Sequence, residues 1–263
     1  MSFRYFQVFR SQLKIKLLSS LLEGEKNLSS LRKEVKASGS SIIHAFTDLE
    51  ALKLMERDGG KYKLTPLGFI EAILIKEIDS ALLVIEKFED YWLTHDISVI
   101  PLYLLRRIGD LEESVLIQND LEDLNKVHKT FQQILLTSKK VQGVSPIFHS
   151  DFVQVFQKLL EEGASIELIL TRGVLKKTLS LVDKKLFSRY VAENRLNVYL
   201  ADDLRVALTV TENSFSIGLF SNKEGYDYTK DIISNNLKTI KWGEDLFKHF
   251  LTQATKLNLE EFI

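Results

Sequence analysis

The sequence predicts a chain of mixed α+β and α/β class, with an N-terminal winged helix, a long connector helix and a C-terminal mixed-sheet α/β domain. Three observations predict this class. The first 68 residues follow the order helix, helix, turn, helix and hairpin. A long helix with an apolar stripe comes next, and strands then alternate with helices around a second hairpin. We expect domains at residues 1–68, 69–130 and 131–263.

The first three helices have clear limits in the sequence. Apolar residues recur at helical spacing over Phe6–Leu22. Leu28–Val35 is a short second helix, and Asn27 can cap its start. A polar turn then separates it from a third helix, which we expect to run from about Ser40 to Lys53.

The third helix has a polar side that suits nucleic-acid recognition. We expect Ile43, Phe46 and Leu49 to face inward. Small polar side chains at the start of such a helix can enter the major groove and bond bases or phosphates. The residues left exposed by this packing are Ser40, Ser41, His44, Ala45, Thr47 and Asp48.

A hairpin with basic residues follows the third helix. Two short strands at 54–57 and 61–64 flank the turn Asp58-Gly59-Gly60. Thr65 can cap a new helix, and Pro66 suits its first position. The residues that we predict to bind DNA are Arg32, Lys33, Lys36, Ser40, Ser41, His44, Arg57, Lys61 and Lys63.

Charge gives this segment moderate support. The chain has 35 Lys and Arg against 36 Asp and Glu, yet residues 1–65 carry a net +5, residues 66–130 a net −7 and the rest a net +1. Chance also produces an excess of five. Asp48 and Glu50 on the third helix would repel phosphate, and Lys53 stands where many winged helices have a turn glycine. A winged helix that contacts only proteins is the alternative.

The acidic middle of the chain is predicted to connect the two domains. Pro66 to about Thr94 repeats apolar residues at spacings of three and four, so we expect one long helix. A long apolar stripe needs a partner, and we expect a second copy of the chain, which gives a homodimer. Packing against another part of the same chain is the alternative.

Composition excludes several classes of protein. The absence of cysteine excludes disulfides, Cys-ligated zinc and iron–sulfur clusters. Charged residues interrupt every apolar run, including residues 70–84, so we expect neither a signal peptide nor a membrane span. We therefore expect a cytoplasmic protein.

The middle of the chain carries a recognisable series of short motifs, and further ones follow downstream. With them, the sequence resembles archaeal winged-helix transcriptional regulators that carry a methanogenesis-regulatory C-terminal domain. The resemblance spans essentially the whole chain and implies a phospholipase-D-like, non-catalytic scaffold for the C-terminal domain. The motifs are Tyr91-Trp92, His95-Asp96, Ile100-Pro101, Gly109-Asp110-Leu111, Ser145-Pro146-Ile147-Phe148-His149, 167–171, 208–211, 216–220, Tyr226-Asp227 and 242–247.

The C-terminal half, read by itself, is α/β. Residues 166–170 form a nearly continuous apolar run, as in a buried parallel strand. A mixed sheet with helices on both faces explains the whole pattern. We expect strands at 141–144, 166–170, 196–200, 205–210 and 215–220, and helices at 151–160, 174–181, 184–192 and 235–256.

We expect no catalytic residue, no cofactor and no metal. Phospholipase-D chemistry needs an H-x-K pattern, and none of the five histidines has a lysine two positions later. Walker, G-x-S-x-G, G-x-G-x-x-G and H-E-x-x-H motifs are also absent from the sequence. The histidines are scattered, so metal ligands would have to come from distant segments.

A ligand pocket is the more natural use of such a sheet. Ligands bind such folds near the ends of strands, and Arg172 would suit an anionic effector. A structural role as a helix-start residue is an equal alternative for His149. The residues predicted to bind a ligand are His149, Thr171, Arg172, Tyr199, Thr209 and Thr211.

Together these features predict a dimeric, sequence-specific regulator that binds double-stranded DNA and senses a small effector or a partner through its C-terminal domain. The alternative is a winged-helix module that binds proteins and not DNA.

Overall fold

The computed structural model describes residues 8–223 and 225–258. The chain divides into two compact units, residues 1–82 and 83–263. The predicted first helix would begin at Phe6, which lies outside the described residues. In the described part, helix α1 begins at Gln12, directly after Ser11, whose hydroxyl accepts a hydrogen bond from the Lys14 amide at 3.4 Å.

The N-terminal unit is a winged helix. A three-stranded sheet in the order β1-β3-β2 packs with its helices. The predicted second helix and the hairpin are confirmed, and the short strand β1 is an addition. The elements are α1 (Gln12–Leu21), β1 (Lys26–Asn27), α2 (Leu28–Val35), α3 (Gly39–Ala51), β2 (Met55–Asp58), β3 (Lys61–Leu64) and the start of α4 (Pro66–Lys87).

Helix α3 is rotated relative to the prediction. Ile42 and Ala45 are buried together with Phe46 and Leu49, whereas Ile43 is 49% exposed. The predictions that Ile43 faces inward and that Ala45 faces outward are therefore wrong. Ile42, Ala45, Phe46 and Leu49 are separated by three, one and three positions, which places all four on one narrow helical face, and the core selects that face.

The start of α4 lies unusually close to the residue that precedes the wing. The Thr65 hydroxyl donates to the Lys53 carbonyl at 2.7 Å and accepts from the Gly68 amide at 3.0 Å, so the predicted cap is confirmed. A Cβ atom placed on Gly68 would lie 1.6 Å from the carbonyl oxygen of Leu54. Only glycine allows this approach of helix to backbone.

The predicted long helix is two helices. Helix α4 ends at Lys87, and α5 (Glu89–Thr94) begins after Phe88, whose φ of −117° and ψ of 27° break the helix. The indole N–H of Trp92 donates to the Val84 carbonyl at 3.2 Å. The side chain of Phe88, at the break, is buried.

The C-terminal unit is built on a nine-stranded mixed sheet with the path β12-β7-β6-β5-β8-β9-β11-β4, and β10 pairs with β9. Strands β5, β6 and β7 are parallel, and the other pairs are antiparallel. The strands are β4 (Val115–Gln118), β5 (Lys140–Ser145), β6 (Ser165–Leu170), β7 (Leu196–Leu200), β8 (Val206–Thr211), β9 (Phe215–Ser221), β10 (Gly225–Tyr226), β11 (Lys230–Ser234) and β12 (Thr255–Lys256).

Helices cover both faces of this sheet, as predicted. Four helices share a core with one face, and on the other face Trp242 of the last helix meets Phe215 edge to face, with ring centroids 5.9 Å apart. The predicted final helix over 235–256 is too long, because residues 255–256 form β12 beside β7. The helices are α6 (Leu102–Leu105), α7 (Lys126–Leu136), α8 (Ser150–Glu161), α9 (Arg172–Leu179), α10 (Lys184–Ala192) and α11 (Leu237–Leu251), with a 3-10 turn at Ile108–Leu111.

Several motif residues attach the segment before β4 to the sheet. The Tyr91 hydroxyl accepts from the Leu219 amide at 2.9 Å, and the rings of Tyr91 and His95 stack at 4.0 Å. His95 is buried, and its Nε2 lies 3.1 Å from an Asp227 oxygen. These motif residues have structural contacts that explain their identities. Among the helices of the described residues, none is long and apolar enough to cross a membrane.

Candidate functional site

The first candidate site is the outer side of α3. Ser38 precedes the helix, and its hydroxyl accepts from the Ser41 amide at 3.1 Å and contacts the hydroxyls of Ser40 and Ser41 at 2.9 and 2.8 Å. Ser40, Ser41 and His44 are all exposed. The first turn of α3 therefore exposes small hydroxyl side chains to solvent, next to the exposed Ile43.

The predicted basic residues lie on neighbouring parts of the same unit. Arg32 and Lys33 are exposed in the last turn of α2, and Lys36 follows in a left-handed conformation with φ of 52°. The residue after α2 must take this conformation to turn the chain toward α3, and Lys36 takes it at some cost in strain.

The wing cations are partly neutralised by nearby carboxylates. Lys61 forms an ion pair with Glu25, and Lys63 lies 3.3 Å from Glu56 and 3.1 Å from Asp58. These carboxylates raise the pKa of both lysines, so both are charged at neutral pH. Arg57 lies over the Tyr62 ring at 5.6 Å and is exposed. Of the three wing cations, only Arg57 has no ion pair among the described residues.

Of the two carboxylates on α3 that would repel phosphate, Asp48 has a partner. Asp48 pairs with Lys14 at 2.7 Å. Lys53 takes a φ of 60°, which is the conformation that a turn glycine takes in many winged helices. The winged-helix geometry is thus retained without that glycine.

The second candidate site is a cavity of about 610 Å³ in the C-terminal unit. Helices α7 to α10 lie over one face of the sheet, and the cavity lies between them and strands β5 to β9. Most of its wall is apolar and aromatic. The apolar residues that line it include Phe131, Val144, Ile147, Phe148, Phe152, Phe156, Leu160, Leu168, Leu170, Val174, Leu186, Phe187 and Val198.

The structure brings two of the predicted ligand residues to this cavity. His149 and Thr209 line it. Tyr199 follows the lining residue Val198 and therefore belongs to the opposite face of the sheet. Thr171 caps α9 by accepting from the Val174 amide, and Thr211 closes the β8–β9 turn by accepting from the Ser214 amide at 2.9 Å.

Arg172, the proposed anion ligand, also lies outside the cavity. Its side chain is 66% exposed, and its Nε is 3.6 Å from an Asp202 oxygen. Within the cavity wall, Lys129 is the only lysine or arginine among the described residues, and its ammonium group is 3.0 Å from both Asp123 oxygens. Arg172 therefore does not line this cavity, and its role as an anion ligand stays a prediction.

A polar group of side chains occupies the sheet floor of the cavity. Thr209 and Ser216 are paired residues on β8 and β9, and Asp231 lies on the next strand. A Cβ atom on Gly218 would lie 2.6 Å from the Tyr226 hydroxyl and 3.2 Å from Asp231 Oδ1. Glycine at this position therefore gives room to both polar groups.

Asp231 is the most perturbed acid of this floor. It is 6% exposed; Oδ2 accepts from the Ser216 hydroxyl at 2.5 Å, while Oδ1 has no hydrogen-bond partner among the described residues. Burial raises the pKa of Asp231 to about 7, against the opposing effect of the Ser216 hydrogen bond. Burial and the nearby Asp231 and Asp227 raise the pKa of Tyr226 far above its usual value, so its hydroxyl keeps its proton.

Two histidines meet at the edge of the cavity. The rings of His128 and His149 lie 4.3 Å apart, and His128 Nε2 and His149 Nδ1 are 3.5 and 3.8 Å from the same Asp151 oxygen. The expectation of scattered histidines is therefore wrong, because α7 and the start of α8 pack side by side. Burial and the neighbouring His149 lower the pKa of His128. One ligand atom from each of the three residues lies within 4.8 Å of the others, so they could hold a divalent metal ion.

Sequence reasoning missed most of the polar floor. Ser216, Tyr226 and Asp231 come from three strands, and their proximity depends on register. The sequence carried little signal for Asp231, because its strand, Lys230–Ser234, contains only two apolar residues, Ile232 and Ile233. The doublet Tyr226-Asp227 also has a division of roles, since Tyr226 lines the cavity and Asp227 bonds His95.

Two segments of the chain match domain models of one known family. Residues 4–83 match the family description "Methanogenesis regulatory protein FilR1, N-terminal domain", and residues 124–253 match "Methanogenesis regulatory protein FilR1, middle domain". A curated relative, the methanogenesis regulatory protein FilR1 of Methanothrix harundinacea (strain 6Ac), is 29% identical over 256 residues. The match covers 94% of this chain and 56% of the relative, so the chain spans little more than half of the relative's length.

Solved structures give more distant likenesses. TrmBL2, described as an archaeal chromatin protein with a novel mode of DNA binding, aligns with a TM-score of 0.45 and 12% identity over 95% of both chains. The phospholipase D family member Nuc from Salmonella typhimurium aligns with a TM-score of 0.39 and 8% identity, over 56% of this chain and 99% of its own. Both TM-scores are below 0.5, so we base no conclusion on these likenesses.

Proposed function

Because the chain belongs to the methanogenesis regulatory protein FilR1 family, an archaeal family whose name denotes regulation, we propose that it is a transcriptional regulator that binds double-stranded DNA through its N-terminal unit. The observation that carries this proposal is the outer side of α3, where Ser40, Ser41 and His44 are exposed between basic residues of α2 and of the wing. This is the arrangement with which a winged helix reads a major groove and contacts flanking phosphates.

A gel-shift titration of the chain against its own upstream DNA tests the proposal. Replacing Arg57 and Lys61 by glutamate should lower affinity at least tenfold at moderate salt and reduce the salt slope by about 2, because each lost phosphate contact contributes about 0.9. The matched control replaces Lys184 and Lys185, two exposed lysines of α10, by glutamate. It changes the net charge equally and should bind DNA like the parent.

The rival function is a winged-helix module for protein partners. It predicts no retardation of any duplex by the parent chain at low salt. Equal binding by the parent and by the Arg57 and Lys61 double variant would contradict the wing assignment, while leaving α3 to be tested through Ser41→Ala. The regulatory names of the family and of the relative favour a regulator over an enzyme.

We further propose a homodimer that forms through α4. Helix α4 presents a row of large apolar side chains to solvent with exposures between 37% and 58%. Such a continuous apolar row on a soluble chain favours burial against a second copy. The exposed residues of this row within the N-terminal unit are Leu67, Phe69, Ile70, Ile73, Leu74, Ile78 and Leu82.

Sedimentation velocity tests the dimer. Ile70→Glu with Leu74→Glu should convert a dimer into a monomer and weaken DNA binding, because two half-sites would no longer be held together. Leu121→Glu is the control, since Leu121 is 98% exposed outside α4. A parent chain that sediments as a monomer at micromolar concentration would contradict the proposal.

We propose that the C-terminal unit responds to a small ligand in its cavity. The support is the cavity of about 610 Å³, a size typical of small-molecule sites, with a few polar groups converging on an apolar wall. A ligand changes DNA affinity only if it binds the DNA-competent and incompetent states with different affinity. The test is a gel shift in the presence of a compound first shown to bind the cavity.

A further inference from the structure

The chemistry of the cavity restricts the kind of molecule that it can bind. The wall supplied by α7 to α10 is mostly apolar, although His128, Lys129 and Asp151 also line it, whereas the polar side chains of the floor lie together on strands β8 to β11. These side chains are Thr209, Ser216, Tyr226 and Asp231. A molecule that fills this space must therefore have an apolar body and a polar group at one end.

Asp231 determines what that polar group can be. Its Oδ1 is buried without a hydrogen-bond partner among the described residues, and an unsatisfied buried acceptor costs about 1–3 kcal/mol, more when it is charged. A ligand group that donates a hydrogen bond removes this cost. A ligand carboxylate or phosphate would instead bring a second negative charge beside an acid whose Oδ1 already lacks a hydrogen-bond donor among the described residues.

The cavity wall offers little compensation to an anion. Its one described lysine, Lys129, is bound by both oxygens of Asp123, and Arg172 lies outside. Tyr226 and Tyr91 are titratable groups near Asp231. Burial, and to a lesser extent Asp231, raises the pKa of both, so both phenols keep their protons. The Tyr91 hydroxyl accepts from Leu219.

We propose that the cavity of the C-terminal unit binds a small amphipathic amine or alcohol, whose apolar body lies among the side chains of α7 to α10 and whose head group donates a hydrogen bond to Asp231. This inference rests on the ligand-sensing part of the proposed function and is independent of the DNA-binding part. It replaces the anionic effector that Arg172 suggested.

Calorimetry with three probes that share one apolar body tests the inference. The probes are 4-phenylbutylamine, 4-phenylbutanol and 4-phenylbutyrate, titrated at pH 8, where Asp231 is largely ionised. The amine should bind at least tenfold more tightly than the carboxylate, and the alcohol should lie between them. Asp231→Asn should lower the affinity for the amine at least tenfold and leave that for the alcohol within about threefold.

Two further variants locate the binding. Asp151→Asn removes an exposed carboxylate at the edge of the cavity and should preserve the order of the three probes. Ala207→Phe fills the cavity from strand β8 and should abolish binding of all three. Tightest binding of the carboxylate, an unchanged order in Asp231→Asn, or no binding of any probe at about 1 mM would overturn the inference. If the probes fail to bind but the same preparation retards DNA normally, the ligand inference is overturned and the DNA-binding proposal is not affected.

Discussion

The two candidate sites are built in opposite ways. In the N-terminal unit the recognition groups lie on the surface within residues 32–63, and its wing lysines pair with exposed carboxylates of the same unit. In the C-terminal unit the cavity draws on residues from 119 to 231, and its acid is buried with one oxygen unpartnered. Surface charges cost little and can be changed one at a time, whereas a buried acid is tolerated only at a cost to folding.

The largest expected effect is that of Gly68→Ala, because this substitution should destabilise the N-terminal unit and leave the C-terminal unit unchanged. Gly68→Ala places a Cβ 1.6 Å from the Leu54 carbonyl oxygen, and neither backbone can move away cheaply. We expect a loss of about 3 kcal/mol or more in the stability of the N-terminal unit. Hydrogen exchange should show faster exchange in residues 12–64 only.

Gly173→Ala is the matched control for this variant. Gly173 lies in the first turn of α9, where an added Cβ would meet only the Thr171 hydroxyl at 4.0 Å. It should change stability by less than about 0.5 kcal/mol. Equal exchange in Gly68→Ala and the parent would show that the helix start does not approach Leu54 as closely as described.

The next effect concerns the cost of the buried acid. The raised pKa means that the folded state holds the Asp231 proton more tightly than the unfolded state, so its contribution to stability is greatest below about pH 4 and is lost as pH rises to about 7. Asp231→Asn, which stays neutral, should therefore raise stability at pH 8, by at most the ~4 kcal/mol that the raised pKa represents, and change it little at pH 4. Urea unfolding at the two pH values measures this difference, and a variant less stable than the parent at pH 8 would contradict it.

A smaller effect is expected at the cap of the recognition helix. Ser38→Ala removes the acceptor of the Ser41 amide and should cost about 1 kcal/mol. Ser38→Thr keeps a hydroxyl and should recover most of this stability. Thermal unfolding measures both, and DNA affinity should fall with the cap in the alanine variant because Ser40 and Ser41 lose their common partner. If the alanine variant has the same unfolding temperature as the parent, the Ser38 cap does not stabilise the recognition helix.

The smallest expected effect is a change in DNA affinity on removal of one surface charge, and it tests whether a single surface charge can be changed without affecting the rest of the unit. Glu25→Gln releases Lys61 from its exposed ion pair, and we expect DNA affinity to rise about two- to fourfold, because exposed ion pairs are weak. Glu162→Gln makes the same charge change beside Lys158 in the other unit and should leave DNA affinity unaltered. An equal gain in DNA affinity in both variants would indicate a general effect of net charge and not the release of Lys61.

Sequence patterns predicted the fold well wherever the signal was local. Leu28–Val35, Lys184–Ala192 and Leu196–Leu200 have the predicted limits, because caps and apolar spacing act within a few residues. The rotation of α3 was missed, since Ile42 and Ile43 are equally apolar and only the core distinguishes them. The break at Phe88 was missed because the indole of Trp92 bonds a carbonyl two turns back.

The candidate sites, like the fold, were predictable only where their residues are close together in the sequence. The DNA-binding residues were proposed from contiguous segments, and the structure places them on neighbouring surfaces of one unit, where their role stays a prediction. The cavity could not be derived in this way. The contact of His128 with His149 and that of Ser216 with Asp231 depend on helix packing and strand register, which a single sequence does not specify.

The doublet Tyr226-Asp227 has a mechanical consequence. The two residues share a peptide group, yet the Tyr226 ring lines the cavity and the Asp227 carboxylate lies 3.1 Å from His95 at the end of α5. One peptide group therefore joins the wall of the cavity to the contact that holds the end of α5, so the two side chains cannot be placed independently of each other.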